Sequence, residues 1–203
     1  MKFSNLFSLL LASIAIASPI ASPEAEAVET TELTTRAPTY VDSWEYKEAI
    51  AAHSGLTKDN YYWFTLEWPI GTVVGDDDKE SQPEITALRR QLGYDHVGIV
   101  IGQITETTGK GKDKDKVTRD FKASVYHMVV KDAVKDTTDM VPRNFNNHYE
   151  PQVLRWGGLT SKKKVDKATK TAKGYIKADA KHEVYNVDSN NCNTFVTAVK
   201  ADL

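Results

Sequence analysis

The chain has 203 residues, 40% of them hydrophobic and 27% charged, with 26 basic against 28 acidic side chains. Those proportions belong to an ordinary globular protein and exclude a collagen-like or wholly disordered chain. A formal net charge of -2 gives no global pull toward nucleic acid, so no nucleic-acid partner is expected.

The first segment reads as a signal peptide over residues 1–17. Lys2 supplies the positive start, Leu6 to Ala17 form a short apolar run, and Ala15-Ile16-Ala17 is a small-residue cleavage site. A secreted, extracellular protein follows from that reading. Residues 18–39 carry Glu24, Glu26, Glu29 and Glu32 and have no aromatic residue before Tyr40, so they form a flexible acidic segment. Its Glu-Ala repeat resembles the trimmed spacers of fungal secreted precursors, which leaves open both a plain tail and a propeptide ending near Arg36. Residues 40–203 are expected to form a single domain, active as a monomer.

Ser43 caps a short predicted helix through Ala52, ended by His53-Ser54-Gly55. The aromatic run YYWFTLEW, 61 to 68, predicts a strand. Asp76-Asp77-Asp78 reads as a solvated turn, because no calcium-loop spacing surrounds it. Ser81 to Glu84 form a capping box for a helix that carries Ile85, Leu88 and Leu92 and stops at Gly93. HVGIVIGQI, 96 to 104, and ASVYHMVV, 123 to 130, predict two buried strands. The charged, glycine-broken stretch between them, 105 to 119, reads as an exposed loop. Residues 131 to 160 read as irregular, with Gly157-Gly158 as a turn.

A long helix is predicted from Ser161 to Ala180, with Val165, Ala168, Ala172, Tyr175 and Ile176 on one face. From Lys162 to Lys181 it holds eight lysines against Asp166 and Asp179. That face can be a solvated helix surface or a contact with anionic membrane, and the first is favoured. Glu183 to Val187 predicts a short strand. A last helix carries Cys192, Phe195, Val196 and Val199 on one stripe, with Ser189, Asn190 and Asn191 as candidate caps.

Cys192 is the only cysteine, so no internal disulfide exists and a lone thiol in an exported chain calls for a role. At the first turn of a capped helix, free amides and the helix dipole favour a thiolate and can hold an oxyanion. The competing reading is a small apolar core residue. A nucleophilic thiol needs a base. His96 opens one strand and His127 lies inside another, where a polar ring needs a reason, whereas His53, His148 and His182 sit in polar, surface-like contexts. No histidine pair has zinc-ligand spacing, so neither metal nor cofactor is expected.

YDHVGIVIGQ followed far downstream by VYNVDSNNCNTFVTAV resembles the histidine-then-cysteine order of the circularly permuted papain-like fold. NNCNTF is similar to the cysteine helix of the permuted peptidases that include desumoylating isopeptidases. SVYHMVV and the helix–strand–cysteine layout are similar to the lecithin–retinol acyltransferase-like branch. Both branches share the core of NlpC-type cell-wall peptidases. The resemblance, over residues 94 to 200, implies an α+β fold with a short antiparallel sheet packed on the cysteine helix. It implies Cys192 as nucleophile, His96 as base and His127 as the residue that orients His96. A peptide or acyl substrate would be attacked at an amide, thioester or ester. Catalytically silent binding on the same fold is the alternative, and a membrane-surface role for the lysine helix is the third reading. Asn193 and Thr194 depart from the Glu-His that commonly follows the cysteine in the acyltransferase-like branch, and residues 40 to 93 match no known pattern.

Overall fold

The computed structural model describes residues 37–72, 83–132, 137–146 and 152–203, all within one compact unit that runs from Arg36 to Leu203. The expected signal peptide and acidic segment up to Arg36, the turn Asp76–Asp78, the caps Ser81 and Gln82, and His148 lie outside the described residues. The architecture is α+β: among the described residues, four α-helices and a six-stranded mixed sheet.

In order come β1 (Thr39–Asp42), α1 (Trp44–Ala52), β2 (Tyr61–Trp68), α2 (Pro83–Leu92), β3 (His96–Thr108) and β4 (Lys116–Asp132). Then follow β5 (Thr137–Asn144), β6 (Val153–Thr160), α3 (Lys162–Ala178) and α4 (Cys192–Lys200). The sheet order is β1-β4-β3-β2-β6, with β5 also on β4. β4 is long enough to hold two partners on one edge: β1 lies parallel to Lys116–Arg119, and β5 antiparallel to Ser124–Asp132. The sheet is therefore larger than the short antiparallel one expected, and it is mixed because β1 runs parallel.

Strand alternation divides the interior into two cores. On one face, Tyr62, Phe64, Leu66, Trp68, Val100 and Val125 pack with Tyr46 and Ala49 of α1. On the other, Val97, Ile99, Ile101, Tyr126 and Met128 pack with Ala168, Ala172 and Tyr175 of α3 and with Cys192, Phe195, Val196 and Val199 of α4. The helices start where the sequence places their caps. The Ser43 hydroxyl accepts the Tyr46 N–H at 3.1 Å, and that of Ser161 accepts Lys164 N–H at 3.4 Å. Gly93, at φ +83°, ends α2 in a conformation that side chains rarely adopt.

Three expectations are corrected. The stretch 105–119 is mostly a hairpin: β3 and β4 pair out to Thr108 and Val117, and only the tip turns, with Gly111 at φ +61°. Its threonines and valine are strand formers, and exposed positions among them tolerate the charges between them. The stretch 131–160 contains β5 and β6. Pro142 fits in β5 because that strand pairs only with β4, and an edge strand has a side on which no N–H is needed. Gly157-Gly158 is not a turn. Both residues lie in β6 beneath the Trp63 indole, where a Cβ on Gly157 would sit 2.2 Å from Trp63 Cε3. Finally, 183–187 forms no strand. Ala180–Glu183 is a 3₁₀ turn, and only isolated bridges, Thr137 to Val184 and Asn186 to Asn190, follow it.

Candidate active site

The segment before Cys192 is fixed by asparagine side chains. Asn190 is fully buried; its amide donates to the carbonyls of His182 (3.0 Å) and Val184 (2.7 Å), and its Oδ1 accepts from the Tyr175 hydroxyl at 3.3 Å. Asn191 is the N-cap of α4. Its Oδ1 accepts the N–H groups of Asn193 (2.9 Å) and Thr194 (3.0 Å), while Thr194 Oγ1 accepts the Asn191 N–H at 2.8 Å. This reciprocal capping box seats Cys192 as the first residue of the helix. Ser189 turns away to Asn186 Oδ1, at 2.8 Å.

The thiol is 7% exposed. Nearby backbone amides of Val97, Asn193 and Cys192 itself favour a lower thiol pKa. Burial nevertheless pushes the thiol above the ordinary cysteine range, and these amides with Arg89 offset only part of that rise. The expected thiolate is thus corrected to a neutral thiol, because desolvation outweighs the helix terminus. The expected row of free first-turn amides is also shorter, since the Asn191 cap occupies those of Asn193 and Thr194.

His96 and His127 are brought together. His96 Nε2 and His127 Nδ1 lie 3.0 Å apart, so one ring donates and the other accepts. Both rings lie against Trp68, with centroids at 4.9 Å and 5.7 Å. Gly98 makes the pairing sterically feasible: a Cβ there would come within 3.1 Å of His127 Cβ. Burial, then the neighbouring His127 and Arg89, lower His96 to about 3. Burial and then Arg143 lower His127 to about 4. Both rings are neutral near pH 7.

Cys192 approaches the same point from the other side. Val97 follows His96 directly and packs in the core of α4 with Cys192. His96 instead is register partner to Trp68, and so shares a face with the first core. Ring and thiol leave the start of β3 on opposite faces, and among the described residues no hydrogen bond joins them.

Two phenols that the sequence reading passed over flank the thiol. Tyr94 donates to Asn193 Oδ1 at 3.0 Å and is pushed up to about 12 by burial, with Cys192 and Glu67 adding to the rise. Tyr185 is pushed up by burial and by Cys192. Tyr94 stands two residues before His96, so its place was readable from the motif. Tyr185 reaches the site only through the Asn186–Asn190 turn. The other described histidines have structural partners rather than plain surface positions. His53 stacks on Trp156 with centroids 3.8 Å apart, and His182 stacks on Tyr175 at 3.9 Å. No cluster of three or more metal-ligating side chains occurs among the described residues. The chain matches no protein-family model, no curated protein and no solved structure.

Proposed function

We propose that the chain is a secreted cysteine-dependent hydrolase or acyl-transfer enzyme of permuted papain-like type, acting on a peptide-like amide, thioester or ester. One observation carries the reading: Val97, the residue that directly follows His96 at the start of β3, packs in the same core cluster as Cys192. A nucleophile at a helix N-terminus and a histidine pair thus lie on the two faces of one strand end.

With a neutral thiol and neutral imidazoles, the chemistry is general-base rather than ion-pair. In this scheme the His96 imidazole must leave His127 and turn to the sulfur's face, where it takes the thiol proton as sulfur attacks the carbonyl carbon. The carbonyl electron pair moves onto oxygen beside the N-terminus of α4. Collapse expels the amine, alcohol or thiol, protonated by the His96 imidazolium, and water repeats the sequence on the acyl-enzyme. In this scheme His127 holds the resting ring and fixes its tautomer.

A second reading, a non-catalytic secreted binding protein on the same scaffold, draws on the opposite-face placement of ring and thiol. Alkylation of Cys192 against pH, in the native protein and in His96→Ala, separates the two. A catalytic pair gives an alkylation rate that falls at least about tenfold when His96 is lost. A rate indifferent to His96, with exposure only on unfolding, gives the binding reading instead.

A further inference from the structure

The charges on α3 work against the helix that carries them. Its first turn holds Lys162, Lys163 and Lys164 and no acidic residue, so cations stand at the end where the helix dipole disfavours them. Further along, Lys163–Lys167, Lys167–Lys170, Lys170–Lys173 and Lys173–Lys177 are like-charge neighbours three or four residues apart, and such pairs repel. Asp166 is the acidic residue within α3, and Lys162 holds it at 2.9 Å. Lys167 pairs with Asp202 at 2.7 Å, whereas Lys163, Lys170, Lys173 and Lys177 make no ion pair among the described residues. A helix face that only meets water gains from mixed signs at these spacings. Broken local rules of this kind mark a functional surface.

The lysines also fall in line. Lys163, Lys170 and Lys177 are seven residues apart, so they form a row along the helix with about 10.5 Å between successive members and a drift of only about 20° per step. All three are exposed, on the side opposite the buried Ala168, Ala172 and Tyr175. Lys167 and Lys173 flank the row, and Asp166 and Gly174 complete that side of the helix. The face therefore offers no apolar group to enter a lipid layer and no ring on which a base could stack. Phosphates along one nucleic-acid strand follow at about 3.4 Å, far more densely than these lysines. The spacing of the row is instead about the length of one disaccharide.

We infer that the outer face of α3 binds a linear acidic polysaccharide, with one anionic disaccharide for each lysine of the row. The surface does not depend on the Cys192 chemistry. The test is calorimetric titration of the full chain with a chondroitin sulfate octasaccharide, with oligothymidylate and phosphatidylserine vesicles as separate arms. Saturable binding of the octasaccharide is expected, weakened by added salt and tighter than that of either other anion. The triple variant Lys163→Gln, Lys170→Gln, Lys177→Gln should weaken it about tenfold, and Lys170→Gln alone about twofold, because exposed contacts are individually small. Lys110→Gln, Lys112→Gln, Lys114→Gln removes the same charge from the exposed tip of the β3–β4 hairpin and should leave the binding unchanged. An equal loss in that variant would assign the binding to diffuse attraction and overturn the surface. Tighter binding of oligothymidylate or of the vesicles would overturn the polysaccharide, and no saturable binding of the octasaccharide would overturn the inference outright. The row variant should melt no lower than the native chain, since it removes like-charge neighbours from an exposed face, so its lost binding is not lost fold.

Discussion

At the scale of single residues, the histidine pair, His127 buried and His96 half-buried, makes the protein sensitive to acid. His96 and His127 are held at about 3 and about 4 in the fold, against about 6.5 for an exposed imidazole. A depressed folded-state value means that the unfolded chain binds more protons over the intervening range. The contribution to stability is therefore complete above pH 6.5 and is lost as pH falls toward 4 and 3, by up to about 1.4 kcal/mol per pH unit for each ring. Urea midpoints measured between pH 7 and 4 should fall steadily, and the slope should flatten in His127→Phe. A midpoint that His127→Phe leaves with the same pH slope would show that this ring is protonated as readily in the fold as outside it. The pair was half readable beforehand. A histidine inside an apolar strand demanded a partner, but the identity of that partner depended on Gly98 leaving room across β3 and β4, a fact of register. For the thiol, the cap and the buried stripe were both visible in NNCNTF, whereas their competition was not. Packing adds the burial that pushes the thiol up against the helix terminus.

At the scale of elements, the local signals located helices better than strands. Ser43, Gly93, Ser161 and Asn191 act on their own backbones, so α1, α3 and α4 and the end of α2 fall where the sequence puts them. β5 and β6 and the outer hairpin were hidden because their justification is nonlocal. Pro142 and Gly157-Gly158 have turn chemistry, yet the first occupies a free edge and the second gives space to an indole from β2. Gly157 tests that account. In a real turn, alanine would be tolerated at a negative φ or cost about 1 kcal/mol at a positive one. Beneath Trp63, alanine forces the ring or the strand aside, at about 1–3 kcal/mol of overpacking. Gly157→Ala should therefore lower the urea midpoint and shift the Trp63 fluorescence together. Loss of stability in Gly157→Ala but not in Gly157→Ala with Trp63→Ala would tie the effect to that contact. An equal loss in both would assign it to the β6 backbone.

At the scale of the whole molecule, the sheet separates two cores that answer to different parts of the chain. Phe64 lies wholly buried on the face of α1, and Phe195 wholly buried on the face of α3 and α4, in the cluster that also contains Cys192. Each truncation to alanine should cost about 3–5 kcal/mol, since each removes a large ring from a close-packed interior. With no shared cluster, the two losses should add to within about 0.5 kcal/mol. Their effects on the thiol should differ. Phe195→Ala removes the ring one turn beyond Cys192 on the same stripe, and so opens native-state access to the sulfur. Phe64→Ala lowers global stability by a similar amount while leaving the second core intact. Alkylation measured well below the unfolding midpoint should therefore quicken in Phe195→Ala and stay at the native rate in Phe64→Ala. If both variants quicken it equally, the thiol is reached by global unfolding alone, and a locally accessible nucleophile is lost with it. If only Phe195→Ala does so, substrate has a route to Cys192 through the α4 side of the sheet. His96 must then come round the start of β3 to meet it.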